Sequence, residues 1–142
     1  MKIDKFEGEY RWLSNFWEEP VSFNGDSYPS VEHAFQAAKT QDENLRKLVR
    51  DASTPSAAKR AGRRVPLRKD WEDVKIGVML EILRNKFSAP RLQKKLLATG
   101  DAELIEGNWW HDVFWGVCNG HGENNLGKLL MKVRDEIREG NE

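Results

Sequence analysis

Apolar and polar residues change rhythm along this chain. Between residues 5 and 28 the apolar residues come in short groups broken by turn formers, which predicts short strands and turns. Within that stretch VSFNGDSY sets an Asn-Gly pair after Val21-Ser22-Phe23, the composition of a tight hairpin. After Pro29 the spacing becomes helical. Ser30 is placed to cap a helix that starts at Val31, with Val31, Ala34, Phe35 and Ala38 on one face. A second helix over about 42 to 52 carries Leu45, Leu48 and Val49, and a third opens at Pro55, a favoured first helical residue, and closes by Gly62. Asp70 caps a long helix to about residue 87. Its broad apolar stripe of Trp71, Val74, Val78 and Ile82, flanked by Met79, Leu83 and Phe87, makes it the expected scaffold. Residues 90 to 98 predict a further helix ended by Gly100, and AELIE at 102 to 106 predicts a short strand. Leu126, Leu129, Leu130, Val133 and Ile137 recur at helical spacing and predict the last helix. The expected fold class is α+β, mainly α-helical: short N-terminal strands and a hairpin, then a helical bundle, in a single domain over residues 1–142.

The first of these helices also sets three polar side chains in line. At 3.6 residues per turn Glu32, Gln36 and Lys39 fall within about 60° of arc, beside the apolar face. Carboxylate, amide and amine so arranged are either a solvated stripe on an ordinary amphipathic helix or one wall of a site. In the first turn a carboxylate faces the positive end of the macrodipole, which keeps it ionised. That suits a base, a nucleophile or a stabiliser of developing positive charge better than a proton donor.

The 142 residues suit one domain that buries close to about 70% of its unfolded surface without staples. Equal numbers of basic and acidic residues, 23 of each, give no global field for a nucleic acid or an anionic membrane, so any such partner must be bound locally. Cys118 is the single cysteine, which excludes an internal disulfide framework. The N-terminal MKIDKFEGEY is too charged for a signal peptide, no apolar run approaches the roughly 20 residues of a membrane span, and mean hydropathy is −0.73. A cytoplasmic, soluble protein is therefore expected. Six tryptophans are many for this length, and three of them, Trp109, Trp110 and Trp115, lie close together. They serve either the core or a stacking surface for a flat ring.

Three other groups bear on function. GENNLGK at 122 to 128 matches the first seven positions of a phosphate-binding loop, but Leu129 stands where a hydroxyl must ligate magnesium, so a nucleotide triphosphatase is rejected. What remains is either a flexible glycine-rich turn or an anion site, in which Gly116, Gly120, Gly122 and Gly127 admit a ligand and free N–H groups at the following helix start hold a phosphate. Asp112 and Trp115, in HDVFWG, place an acid and a flat ring beside it, as a nucleoside-like ligand would need. His111, His121 and Glu123 match no zinc spacing, and Cys118 reads as a small buried residue. Lys59, Arg60, Arg63, Arg64, Arg68 and Lys69 form the one strong basic cluster, either a solvated turn or a contact to phosphate whose affinity would fall steeply with salt.

Five motifs in order, LSNF at 13 to 16, YPSVEHAFQAAK at 28 to 39, PLRKDWEDVK at 66 to 75, DVFWG at 112 to 116 and GENNLGKLLMKVR at 122 to 134, give the chain its resemblance to the YbiA-like, or NADAR domain, family over nearly its whole length. The resemblance implies a hydrolase of N-glycosidic bonds between ribose and a nitrogenous base. The substrate would be either a ribosylamino-pyrimidine phosphate of early riboflavin synthesis or ADP-ribosylated guanine in nucleic acid; a non-catalytic reader of ADP-ribose, nucleotide or nucleic acid is the alternative. By position it implies Glu32, Lys39 and Asp112 as catalytic residues, with Lys39 acting on an opened ribose. Asn15, Phe16, Gln36, Arg68 and Trp71 would contact substrate, as would Trp115, Gly116, Gly122 and Asn125. Ala34 stands where many relatives carry an aromatic, and WGVCNGHG differs from the riboflavin branch. The expected partner is a small ribosyl or ADP-ribosyl substrate, with no cofactor, no metal and no membrane.

Overall fold

The computed structural model describes residues 1–140, and the chain divides into two compact units. The middle unit is Asn15–Lys86; the other joins Met1–Ser14 to the chain from Phe87 onward. The α+β, mainly helical class is observed.

In the middle unit, strands β2 (Val21–Phe23) and β3 (Asp26–Tyr28) form an antiparallel hairpin that pairs Val21 with Tyr28 and Phe23 with Asp26. Asn24 and Gly25 join them with φ of 50° and 85°, the two positive values that a two-residue turn matching strand twist requires. Helix α1 (Val31–Ala37) starts where Ser30 caps it, the Ser30 hydroxyl accepting the His33 N–H at 3.1 Å. Helices α2 (Glu43–Arg50) and α3 (Pro55–Gly62) follow, with Asp42 and Thr54 as N-caps and Pro55 in the first turn. Helix α4 (Trp71–Lys86) follows Asp70, whose carboxylate is occupied by Arg68. Helix α1 packs against α2, α3, α4 and the hairpin, and every residue from Val31 to Ala38 is buried. It is therefore α1, rather than α4, that the rest of the unit encloses.

His33 secures that enclosure. Its Nε2 donates to the Ala52 carbonyl at 2.9 Å, and its Nδ1 lies 2.7 Å from the Ser30 hydroxyl, so the ring ties the start of α1 to the chain beyond α2. Two expectations need adjusting. Leu48 is 64% exposed, so the buried line of α2 runs through Val49, and the buried face of α4 is Trp71, Met79, Ile82, Leu83 and Lys86, with Val74 and Val78 half-buried.

In the other unit, β1 (Lys2–Ile3) pairs in parallel with β4 (Glu103–Leu104), Ile3 opposite Leu104. Gly8–Leu13 is a 3-10 helix, where short strands and turns were expected. Helix α5 (Pro90–Ala98) ends before Gly100, whose φ is 62°, and packs against α6 (Asn125–Gly140). Leu92, Leu96, Leu104, Leu126 and Leu130 are fully buried here. Among the described residues no helix is long and apolar enough to cross a membrane.

Candidate active site

Glu32 is the second residue of α1, and its N–H, which no helical carbonyl can reach, donates to the Asn15 carbonyl at 3.1 Å. Asn15 is itself buried; its Nδ2 rests on the Met79 sulfur at 3.7 Å, and its Oδ1 is buried with no hydrogen-bond partner among the described residues. One turn along α1, Gln36 donates Nε2 to Glu32 Oε1 at 2.7 Å. Glu32 is 7% exposed and Gln36 5%, so the polar stripe is enclosed rather than solvated. Burying a carboxylate is costly unless donors and dipoles compensate, and here an amide and the first turn of a helix do so.

Lys39 stands half-buried just beyond the end of α1. Burial pushes its amine below the ordinary lysine value; the Glu32 charge opposes that shift, while Arg63, Lys59 and Lys75 reinforce it. A lysine so placed supplies more of the neutral amine, the nucleophilic form. The Lys39 carbonyl accepts the Arg68 N–H at 2.8 Å, and the Arg68 guanidinium grips both carboxylate oxygens of Asp70 at 2.6 and 3.0 Å. Phe16 is 39% exposed, with the Lys59 ammonium 5.9 Å from its ring centre. Trp71 is buried against Phe35, ring centres 5.0 Å apart. The middle unit thus holds Asn15, Phe16, Glu32, Gln36, Lys39, Arg68 and Trp71. The sequence did not single out Lys75 or Gly62. Lys75 follows Trp71 by one turn of α4, and that spacing was the available signal.

Asp112 and Trp115 belong to the other unit. Asp112 Oδ1 accepts the N–H groups of Phe114 and Trp115 at 3.2 and 2.9 Å, a turn that fixes Trp115 with its ring edge-on to Phe114. Asn108 clamps the same turn, accepting the Asp112 N–H at 3.0 Å and donating to the Asp112 carbonyl at 2.9 Å. The N–H groups expected to be open for an anion are occupied: those of Glu123, Asn124, Asn125 and Leu126 donate to the carbonyls of Val113, Gly116, Phe114 and Trp115. The Asn125 side chain also donates to Phe114. A β-carbon at Gly116 would collide with the Glu106 carbonyl and one at Gly122 with that of Gly116, so both glycines serve close approach of backbone to backbone. Trp109 and Trp110 are exposed, 79% and 42%, while Cys118 is buried with its sulfur 3.8 Å from His111 Nδ1. Among the described residues no three of His, Cys, Asp and Glu gather as a metal site would require.

Comparison with known proteins bears on the chain as a whole. The NADAR domain matches residues 3–138. The chain is 44% identical over 133 residues to N-glycosidase YbiA of Shigella flexneri serotype 5b (strain 8401), spanning 91% of this chain and 82% of that one. It is 41% identical over 133 residues to a riboflavin biosynthesis protein of Vibrio vulnificus (strain YJ016), spanning 90% of this chain and 36% of that protein. The NMR structure of E. coli YbiA superposes with a TM-score of 0.88 at 39% identity, over 99% of this chain and 86% of that one. A match that runs from residue 3 to residue 138, in sequence and in fold, places the chain in the NADAR domain family.

Proposed function

We propose that this protein is an N-glycosidase that hydrolyses the bond between a phosphate-bearing ribose and a nitrogenous base. The observation that carries the proposal is the enclosed row on α1: a carboxylate fixed by an amide at 2.7 Å, followed by a lysine whose amine is lowered by burial and by neighbouring cations. The names of the relatives, N-glycosidase and riboflavin biosynthesis protein, support the same chemistry. Lys59, Arg63 and Lys75, whose charges act on Lys39, bring positive charge to its end of that row, suited to a substrate phosphate.

As the C–N bond at the anomeric carbon breaks, its electron pair leaves with the base nitrogen, which takes up a proton, and positive charge builds on the ribose. Glu32 stabilises that charge and orients water. The water oxygen bonds to the anomeric carbon and its proton passes to the carboxylate, which then releases a proton to solvent, matching the one taken up by the base nitrogen and leaving Glu32 ionised again. In a second route the neutral Lys39 amine adds to the anomeric carbon of the ring-opened sugar, displaces the base and leaves an imine that water hydrolyses back to lysine and free sugar. Asp112, through its turn, sets the position of Trp115.

The riboflavin-named relative favours a ribosylamino-pyrimidine phosphate as substrate over ADP-ribosylated guanine in nucleic acid. The test is mass-spectrometric detection of base release from both, with wild type and Glu32→Gln. Release from one, lost in the variant, establishes reaction and substrate together. Binding without release in wild type would instead make the protein a reader of ribosyl phosphates.

A further inference from the structure

Gly62 closes α3, and its backbone does not call for glycine, since its φ is not among the positive values in the chain. What it supplies is space where α3 packs on α1. A β-carbon at position 62 would collide with Oε1 of Gln36 and stand 2.7 Å from its Cδ and 2.9 Å from its Cβ. The group that fills this space is the carboxamide that donates to Glu32.

That carboxamide can face only one way. Turned over, it would set one acceptor oxygen against another, so the Glu32 carboxylate dictates that Nε2 points toward it. Oε1 then lies buried against Gly62, with no hydrogen-bond partner among the described residues. So placed, the carboxamide offers its donor end to a single task. Here the task is the grip on Glu32.

We propose that Gly62 is a positioning residue of this site: by having no side chain it admits the Gln36 carboxamide between α3 and α1, and so holds the Glu32 carboxylate in one orientation. This rests on the N-glycosidase reading above.

The test uses the full chain. In wild type, one Gln36 side-chain amide proton, hydrogen-bonded to a carboxylate and buried, should be displaced in the 15N spectrum and slow to exchange. In Gly62→Ala that signature should vanish, and kcat should fall by about tenfold or more with KM changed by less than about twofold, because the carboxylate is misplaced while binding persists. Gln36→Met keeps the packing volume without the amide and should lose the same kcat. The double variant should be no worse than the worse single, since both act through one hydrogen bond. Retention of the amide signature and of kcat in Gly62→Ala overturns the proposal, as do additive losses in the double variant. If Gly62→Ala does not fold, Gln36→Met decides: wild-type kcat overturns the proposal and a tenfold loss supports it. Should wild type release base from neither substrate, the glycosidase reading fails alone, and the amide signature still decides the Gly62 assignment.

Discussion

Gln36 and Glu32, one turn apart on α1, are joined by a buried hydrogen bond of 2.7 Å in which the amide donates to the carboxylate. Glu32→Gln keeps size and burial but removes the charge that would stabilise a ribosyl cation. Turnover should fall by at least about 100-fold with the fold intact, as measured by single-turnover base release and circular dichroism. Wild-type turnover in that variant would reduce Glu32 to a helix-end acid.

Lys39 gives a pH signature. Its folded-state amine lies below the ordinary 10.5, chiefly through burial, so the neutral form accumulates on raising the pH earlier than for a free lysine. If an imine forms, adduct trapped with borohydride should rise with pH and level off below that value, and disappear in Lys39→Arg. Lys59→Ala and Arg63→Ala each remove a charge that lowers the amine, so the rise should move to higher pH. An unmoved profile would mean that these cations serve only the substrate.

Lys86 gives a second, through stability. It is 1% exposed, with its amine lowered to about 7 by burial despite the Glu19 charge. Between about 7 and 10.5 the unfolded chain holds the proton and the native chain does not, so this group adds stability as pH rises through that window. Below it, the cost of the buried charge is fully present. The stability of wild type relative to Lys86→Met should therefore rise from pH 7 to pH 10, by an amount on the order of a few kcal/mol in denaturant titrations. A pH-independent difference would contradict it.

Asp112 separates turn from catalysis. Asp112→Ala deletes the acceptor for two N–H groups and should cost about 1–2 kcal/mol, whereas Asp112→Asn keeps an acceptor oxygen and most of that stability. If Asp112→Asn is stable yet loses turnover more than about tenfold, the charge itself takes part in the reaction.

Much of the architecture was legible because it is written in local punctuation. Ser30, Pro55, Asn24-Gly25 and Gly100 each impose a backbone geometry on their own neighbours, and the elements they bound were read correctly. Glu32, Gln36 and Lys39 could be placed on one face for the same reason. That Glu32 and Gln36 are enclosed could not be read, because a polar stripe looks the same whether water or protein covers it. The burial of Lys86 and exposure of Leu48 reverse composition for a like cause, since each depends on what packs from afar. The pairing of Ile3 with Leu104 joins strands two residues long, too short to carry a pattern. The helix-start N–H groups near Asn125 were expected to be open; the carbonyls that take them belong to residues 113 to 116, which the sequence presented as a separate motif.

Because Val31 through Ala38 are buried without interruption, α1 has no outer surface on which change is cheap. Any substitution there alters packing and chemistry together, so the reaction is hard to drift away from one residue at a time. Phe16, Lys59 and Arg63 are under no such constraint, being exposed or only half-buried. On this scaffold a new substrate would be acquired by variation at those positions around an unchanging helix, and a directed-evolution library should spend its diversity there.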